Sequence, residues 1–270
     1  MQQELSKNTT LEVGYIGNHG IHLTNNFSFG ALPVKYLSTS PFRDAAQVAN
    51  ASALSATVTN PMAGLLPGTT LNGSTISVSN LLRAFPEFSG ATENNMNSGG
   101  SYFHQLSARL SRRLSRGLLL SFDYSLSRLM EANSYLNAGE MKLEKRVSGD
   151  DRTNNLGISA LYQLPFGHGK HFLGGAKGVL NVIAGDWAVS SLYNWHTGAP
   201  MNWGSDVIYN GGNLNWDAHN VNKTFDTTQF NTNSSQQYTN HYRTFPTYFS
   251  NLRVDSTNNV NLSVTKSFTL

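Results

Sequence analysis

The chain has 270 residues, of which 13% are charged and 11% aromatic, and its formal net charge at pH 7 is +3. This small charge gives no support for a nucleic-acid partner, and the absence of cysteine excludes disulfides, Cys-ligated zinc, iron–sulfur clusters and a thiol nucleophile. No apolar run approaches the roughly 18 residues that predict a transmembrane helix. The opening residues, MQQELSKNTT, lack the apolar core of a signal peptide.

Alternation of apolar and polar residues predicts β-strands along most of the chain. The first stretch, QQELS, predicts the end of one strand before the short link Lys7-Asn8. In TTLEVGY, Leu11, Val13 and Tyr15 alternate with polar or small neighbours. Similar alternation follows in NNLGISALYQL, DWAVSSLYNW and NNVNLSVTKSF. The sequence therefore predicts an all-β protein, an antiparallel meander of long strands.

The stretch from 101 to 130 predicts a β-hairpin with arms of about 12 residues, longer than the usual 5–6. Residues 115–117, Ser-Arg-Gly, form the predicted turn, where Gly117 is free to adopt a positive φ. Arms of this length match strands that cross a bilayer, which need about 9–11 residues. Two alternatives are a long hairpin in a soluble sandwich and a basic amphipathic helix over 103–114.

Short and long connections alternate along the chain, as in outer-membrane barrels with short periplasmic turns and long extracellular loops. The predicted long loops cover about 18–100, 131–152 and 199–256. The link 165–184 has intermediate length. Because successive connections lie on alternate sides of the membrane, its place in the order predicts a periplasmic turn. Its sequence GHGKHFLGG predicts a flexible turn rather than a phosphate loop, because it lacks the GK[ST] ending.

A strand between lipid and a watery lumen presents apolar residues on one side and polar residues on the other. Arg112 and Arg128 interrupt the apolar side, so this interpretation places them near the membrane surfaces, where long side chains reach water. The predicted lipid-facing residues are Leu106, Leu110, Leu120, Phe122, Leu126 and Ile158. The predicted interfacial aromatic girdle consists of Tyr102, Tyr124, Tyr162, Trp187, Tyr193 and Trp195.

Several segments, LEVGYIGNHGIHL, NLLRAFPEFSGA, SYFHQLSARLSRRLSRGLLLSFDYSLSRLME, RTNNLGISALYQLPFGHGKHFL and GDWAVSSLYNWHTGAPMNW, resemble the barrel of Oar-like TonB-dependent receptors. This family carries a carboxypeptidase-regulatory-like domain. The resemblance implies a Gram-negative outer-membrane barrel of about 22 strands, surrounded by lipid and filled by a plug. It also implies coupling to the TonB complex and uptake of an extracellular ligand.

The sequence lacks a recognisable plug, TonB box or regulatory-like domain. We therefore expect a fragment of such a receptor, whose plug and TonB contact lie in the missing part. As a fragment, the chain should form an open curved sheet. A different class, a soluble or surface-attached β-sandwich adhesin or carbohydrate-binding protein, stays open; it would bury Leu120, Phe122 and Tyr124 beneath a second sheet.

The sequence assigns no catalytic residue, metal ligand or cofactor, and we expect no enzymatic activity. Histidine pairs occur in HGIH and HGKH, but no matching carboxylates accompany them. Trp203, Tyr209 and Trp216 lie among Asn and Gly in the last long loop, where exposed rings could stack on a ligand such as a sugar. The same rings could instead pack the loop against itself.

Overall fold

The protein is described by a computed structural model covering residues 1–39, 44–115, 117–203, 208–209, 211–215, 217, 220, 222–231, 233 and 240–268. The strands are β1 (Gln2–Ser6), β2 (Thr9–Ser28), β3 (Thr57–Thr59), β4 (Thr75–Ser77), β5 (Thr92–Ser115), β6 (Leu118–Ala132), β7 (Arg146–Val147), β8 (Asn154–Gln163), β9 (Trp187–His196), β10 (Pro200–Asn202), β11 (Ile208–Tyr209), β12 (Phe230–Asn231), β13 (Tyr248–Arg253) and β14 (Thr257–Lys266). The α-helices are α1 (Ala45–Ser55), α2 (Val78–Leu81) and α3 (Val179–Ala184), and the 3₁₀ turns are Val34–Tyr36, Thr70–Asn72 and Thr227–Gln229.

One large antiparallel sheet dominates the structure. Its strands lie in the order β1-β2-β5-β6-β8-β9-β14, and the short β7 pairs with β6. The order follows the chain, with the intervening short strands forming small two-stranded sheets in the connections. The strands β1 and β14 form the two edges of an open sheet. These observations confirm the predicted antiparallel meander. In the described ranges, no helix is both long and apolar enough to cross a bilayer.

The predicted central hairpin is confirmed by the pairing of β5 with β6. Leu106 lies opposite Leu126, and Leu110 opposite Phe122, so their side chains share one face. At the turn Gly117 has a φ of 82°, and a Cβ atom there would lie 2.9 Å from the carbonyl oxygen of Gln163. The turn therefore requires glycine for its backbone conformation and for space. The helical alternative for 103–114 is wrong, because this segment belongs to β5.

Two strands extend further than their sequence pattern predicts. The segments 18–28 and 92–100, expected within a long loop, continue β2 and β5 as a paired ribbon. Three register shifts interrupt this pairing, and His22 and Asn95 each have a φ of 59°. Such irregularities break the alternation by which a strand is recognised in a sequence. Backbone pairing between the arms therefore extends the strands where side-chain alternation is weak.

The long connections contain structure of their own. The first carries α1 and the ribbon β3–β4, and the last carries β10 to β13. The link 165–184 contains α3 after the glycine-rich turn of residues 167–175, and this turn has backbone hydrogen bonds such as Gly169 N to Gly174 O at 3.0 Å.

A hydrophobic core of buried residues lies in the last connection. Leu214, Phe230 and Leu252 are buried there. The partly buried residues packed against them are Met201, Trp203, Tyr209, Phe225 and Phe249. Aromatic packing therefore stabilises the connection itself.

A buried ion pair joins the connection before β8 to the one before β14. The Asp151 side chain is fully buried and accepts hydrogen bonds from Leu129 N at 2.6 Å, Thr153 Oγ1 at 3.1 Å and Arg253 Nη2 at 2.5 Å. Arg253 also donates from Nη1 to the carbonyl oxygens of Asp151 and Gly198, both at 3.1 Å. The carboxylate therefore connects β6, the start of β8 and β13.

A second set of charged contacts joins the same two connections. Arg146 donates to Glu131 at 2.9 Å and to Glu144 at 3.2 Å. The Glu144 carboxylate also accepts hydrogen bonds from the backbone N and the hydroxyl of Thr247, both at 2.7 Å. The two connections thus form one hydrogen-bonded cap at one end of the sheet.

We predict that Asp151→Asn releases the last connection from this cap. Removing one member of a buried ion pair costs about 3–5 kcal/mol, because the partner charge stays partly desolvated. Limited proteolysis should therefore cut the connection between β9 and β14 much faster than in the wild type.

Asp123→Asn is the matched control. Asp123 forms an ion pair with Arg109, but their side chains are 40% and 60% exposed, so solvent screens the pair and its loss should leave the proteolysis rate close to that of the wild type. If the connection in Asp151→Asn were cut at the same rate as in the wild type, the proposed role of the buried pair would be contradicted.

Candidate functional site

One face of the large sheet is mainly apolar, and it carries all six predicted lipid-facing residues. The cross-strand register fixes this arrangement, because directly paired residues point to the same side. One row of directly paired residues crosses six strands, and its only polar side-chain group is the hydroxyl of Tyr193. The row consists of Leu11, Leu110, Phe122, Ile158, Tyr193 and Val260. Leu106, Leu120 and Leu126 lie on the same face in neighbouring rows.

The apolar face is open. None of the six predicted residues is buried, and Leu106 is 50% and Phe122 38% exposed. In the described part of the chain the other sheets have only two short strands each, and they belong to the connections. A β-sandwich would bury this face under a second full sheet. The structure therefore contradicts the sandwich alternative.

The shorter strands have the length of a bilayer crossing. The strands β8, β9 and β14 contain 10 residues each. At about 3.3 Å per residue such a strand is roughly 33 Å long. A tilt of about 40° reduces its height to about 25 Å, the usual height of the apolar band of outer-membrane barrels.

The six predicted girdle residues also lie on the apolar face. Tyr162 and Trp187 lie beside the β8–β9 connection, and Trp195 is next to the last residue at the opposite end of β9. Two of the girdle hydroxyls are hydrogen-bonded: Tyr124 donates to Asn154 at 2.6 Å and Tyr193 to Asn258 at 2.8 Å. Rings with an apolar body and a hydrogen-bonded tip suit a membrane interface.

The two arginines on the apolar face lie towards strand ends. Arg112 is exposed close to the β5–β6 turn. Arg128 lies beyond the last pair between β6 and β8, which joins Leu126 and Asn154. Both positions are compatible with side chains that reach out to water.

The opposite face is mainly polar and contains a charged recess. Glu12, Arg109 and Asp123 occupy one row on neighbouring strands, with Gly157 next along. Arg109 is paired with Asp123, which also accepts a hydrogen bond from Ser121 at 2.9 Å. A pocket of about 360 Å³ covers these residues, and it also contacts Gln105, Ser107, Ser125 and Asn155. Such a surface suits a water-filled or protein-filled lumen.

A small apolar area interrupts the polar face near the short connections. Leu119 and Leu161 pair across β6 and β8, and Leu192 lies nearby on β9. The sequence predicts polar side chains towards the lumen, so this apolar area is an unexpected feature of the face. Leu119, Leu161 and Leu192 occupy positions that point to the polar face, but their side chains are apolar.

Two of the rings proposed for ligand stacking pack against other aromatic rings of the same loop. Trp203 stacks on Phe230 at a centroid distance of 4.6 Å, and Phe225 meets it edge-on at 5.1 Å. Tyr209 packs against Phe230 at 5.0 Å, and burial raises the pKa of its phenol. These two rings pack the loop against itself. Trp216 lies outside the described residues.

A second pocket, of about 520 Å³, lies between three connections and is called the loop pocket below. Amides, hydroxyls and a few apolar groups line it, together with His241 and Arg243. Among its lining residues are Asn26, Ser28, Leu37, Asn133, Tyr135 and Asn240. No sequence motif marks this site, because its walls come from residues more than 200 positions apart.

Arg243 contributes a buried cation to the wall of the loop pocket. Its guanidinium donates to the carbonyl oxygens of Trp203 at 2.9 Å and Phe245 at 3.0 Å. Burial lowers the pKa of Arg243, and nearby Glu144 opposes that shift. These carbonyl contacts make the guanidinium a structural group that holds the pocket wall in place.

Metal-binding chemistry receives no support from the described ranges, where no three His, Asp or Glu side chains converge on a possible metal site. The histidines of HGIH and HGKH lie in separate parts of the fold, on β2 and in the β8–β9 connection.

Comparison with known proteins agrees with the two-faced sheet. No curated protein and no solved structure matches the chain. A family described as an outer membrane beta barrel domain matches residues 1–270. Together with the open antiparallel sheet, this match shows that the chain belongs to the outer membrane β-barrel family and is an outer-membrane protein of Gram-negative bacteria.

Proposed function

We propose that this chain forms part of the barrel of an Oar-like TonB-dependent receptor, which takes up an extracellular ligand. The observation that carries this proposal is a long-stranded wall with an open apolar face on one side and a polar recess at Glu12, Arg109 and Asp123 on the other. The ordered resemblance of five segments to that receptor family supports the finer assignment. No catalytic role is proposed for any residue.

Closure of the barrel requires further strands. A sheet within a bilayer must satisfy all its backbone groups, so only a closed barrel can span it. In the described residues β1 and β14 pair on one side only. We infer that strands outside this chain complete the wall, and that the plug and the TonB contact also belong to the remainder of the receptor.

The loop pocket is the proposed first contact for the ligand. Short turns of outer-membrane barrels face the periplasm and long loops face outward, which places the loop pocket outside the cell. Its amide and hydroxyl lining suits an uncharged polar ligand, such as part of a sugar or a peptide, because Arg243 is already bonded to carbonyl oxygens.

We predict different effects for arginine on the two faces of β8. Ala160→Arg places a cation on the apolar face and should destabilise the barrel by about 2–4 kcal/mol if the residue lies near the midplane. Ser159→Arg, one residue away on the polar face, should change stability by less than about 1 kcal/mol. Urea unfolding of the full-length gene product in phospholipid vesicles measures both, and equal effects would contradict the lipid-facing assignment.

TonB coupling is tested separately. The full-length gene product, extracted from outer membranes in detergent, should be retained by an immobilised periplasmic domain of TonB from the same species. A porin from the same membranes provides the background. Retention no greater than that of the porin would reject the TonB-dependent assignment while leaving the membership of the outer-membrane family intact.

A further inference from the structure

The β8–β9 connection, residues 164–186, is unusually apolar for a turn in water. Its helix α3 exposes four of its six side chains: Val179 at 74%, Leu180 at 54%, Val182 at 55% and Ile183 at 65%. Phe172 and Leu173, in the preceding turn, are each 49% exposed. A contiguous exposed apolar patch on a folded protein indicates a surface that contacts another apolar phase or partner.

The charges of this connection are mainly positive, and its single acidic residue, Asp186, is the last residue before β9. Residues 164–185 contain no Asp or Glu, whereas Lys170 and Lys177 are both exposed. His168 and His171 lie in the same turn and are also exposed. Exposed lysines beside an apolar helix form the pattern of a segment that lies on an anionic membrane surface.

Two side chains from the apolar face of the sheet hold the end of this helix. Trp187 Nε1 donates to the carbonyl oxygen of Ile183 at 2.9 Å, and Lys266 Nζ donates to that of Gly185 at 2.5 Å. Trp187 and Lys266 are directly paired and lie on the same face as Val189 and Val264. The exposed helix is therefore continuous with the lipid-facing surface rather than with the lumen.

Local contacts fix the helix in this position. His168 N donates to Asn181 Oδ1 at 2.7 Å, which joins the glycine-rich turn to the middle of α3. The rings of Phe166 and Phe172 stack at a centroid distance of 5.4 Å. The connection thus presents its apolar side chains on a hydrogen-bonded scaffold, without burying them in its own interior.

We propose that the β8–β9 connection is an interfacial anchor that lies in the periplasmic phospholipid leaflet around the barrel. The side chains of Leu180, Val182 and Ile183 enter the boundary between headgroups and acyl chains. Lys170 and Lys177 contact the phosphate groups of anionic phospholipids. This proposal depends on the membership of the outer-membrane family and not on TonB coupling.

Insertion of the helix is tested by fluorescence. Val182→Cys in the full-length gene product, with any cysteine elsewhere replaced, is labelled with the probe NBD and reconstituted into vesicles of phosphatidylethanolamine and phosphatidylglycerol. NBD at 182 should be blue-shifted and quenched by lipids with a nitroxide near the headgroup. Ser52→Cys, exposed on α1, is the control and should show neither effect. Water-like emission without quenching at 182 would overturn the proposal.

The role of charge is tested with Lys170→Glu combined with Lys177→Glu. Loss of each lysine contact with an anionic surface should weaken the association about fivefold. Because the glutamates are repelled by anionic headgroups, quenching at 182 in the variant should decrease as the phosphatidylglycerol content rises. Heat-modifiable gel mobility checks that the variant is folded. Quenching that is unaffected by the double substitution would refute the lysine contacts. A blue shift that persists in lipid-free amphipol, together with crosslinking of residue 182 between copies, would overturn the lipid contact and show that the helix contacts a second copy of the chain.

Discussion

Backbone hydrogen bonding in a medium without water is the constraint on which this structure depends. Each strand within the bilayer must pair with neighbours along its whole crossing, because unpaired N–H and C=O groups cost several kcal/mol there. The pairs between β8, β9 and β14 meet this requirement over about ten residues per strand. Once pairing is fixed, alternation assigns each side chain to lipid or lumen, and the chemistry of the two faces follows.

This constraint also explains the location of the buried hydrophobic cluster. A sheet with lipid on one side and a lumen on the other needs no second sheet to cover its apolar residues. Burial is instead concentrated in the connections, where Phe230 and Leu252 form a small core and Asp151 binds Arg253. The stability of the hydrogen-bonded cap is thus largely local to the loops, and the shape of the loop pocket depends on it.

The two ends of the wall differ because their connections differ. At one end, long connections build a polar pocket from amides and hydroxyls. At the other end, the β8–β9 connection exposes apolar side chains and lysines beside Trp187 and Lys266. The first arrangement suits recognition of a polar solute, and the second suits contact with phospholipid. A single wall therefore combines a proposed ligand-facing end, a spanning region and a proposed lipid anchor.

The sequence by itself determined the sheet and its two faces, because strict alternation leaves each side chain only two directions. The hairpin turn at Gly117 and the shared face of Leu110 and Phe122 follow from that pattern. Only the tertiary structure decided the extension of β2 to Ser28, since bulges hide alternation, and the packing of Trp203 against Phe230. It also decided the loop pocket and the position of α3, because long-range contacts between distant connections leave no periodic signal in the chain.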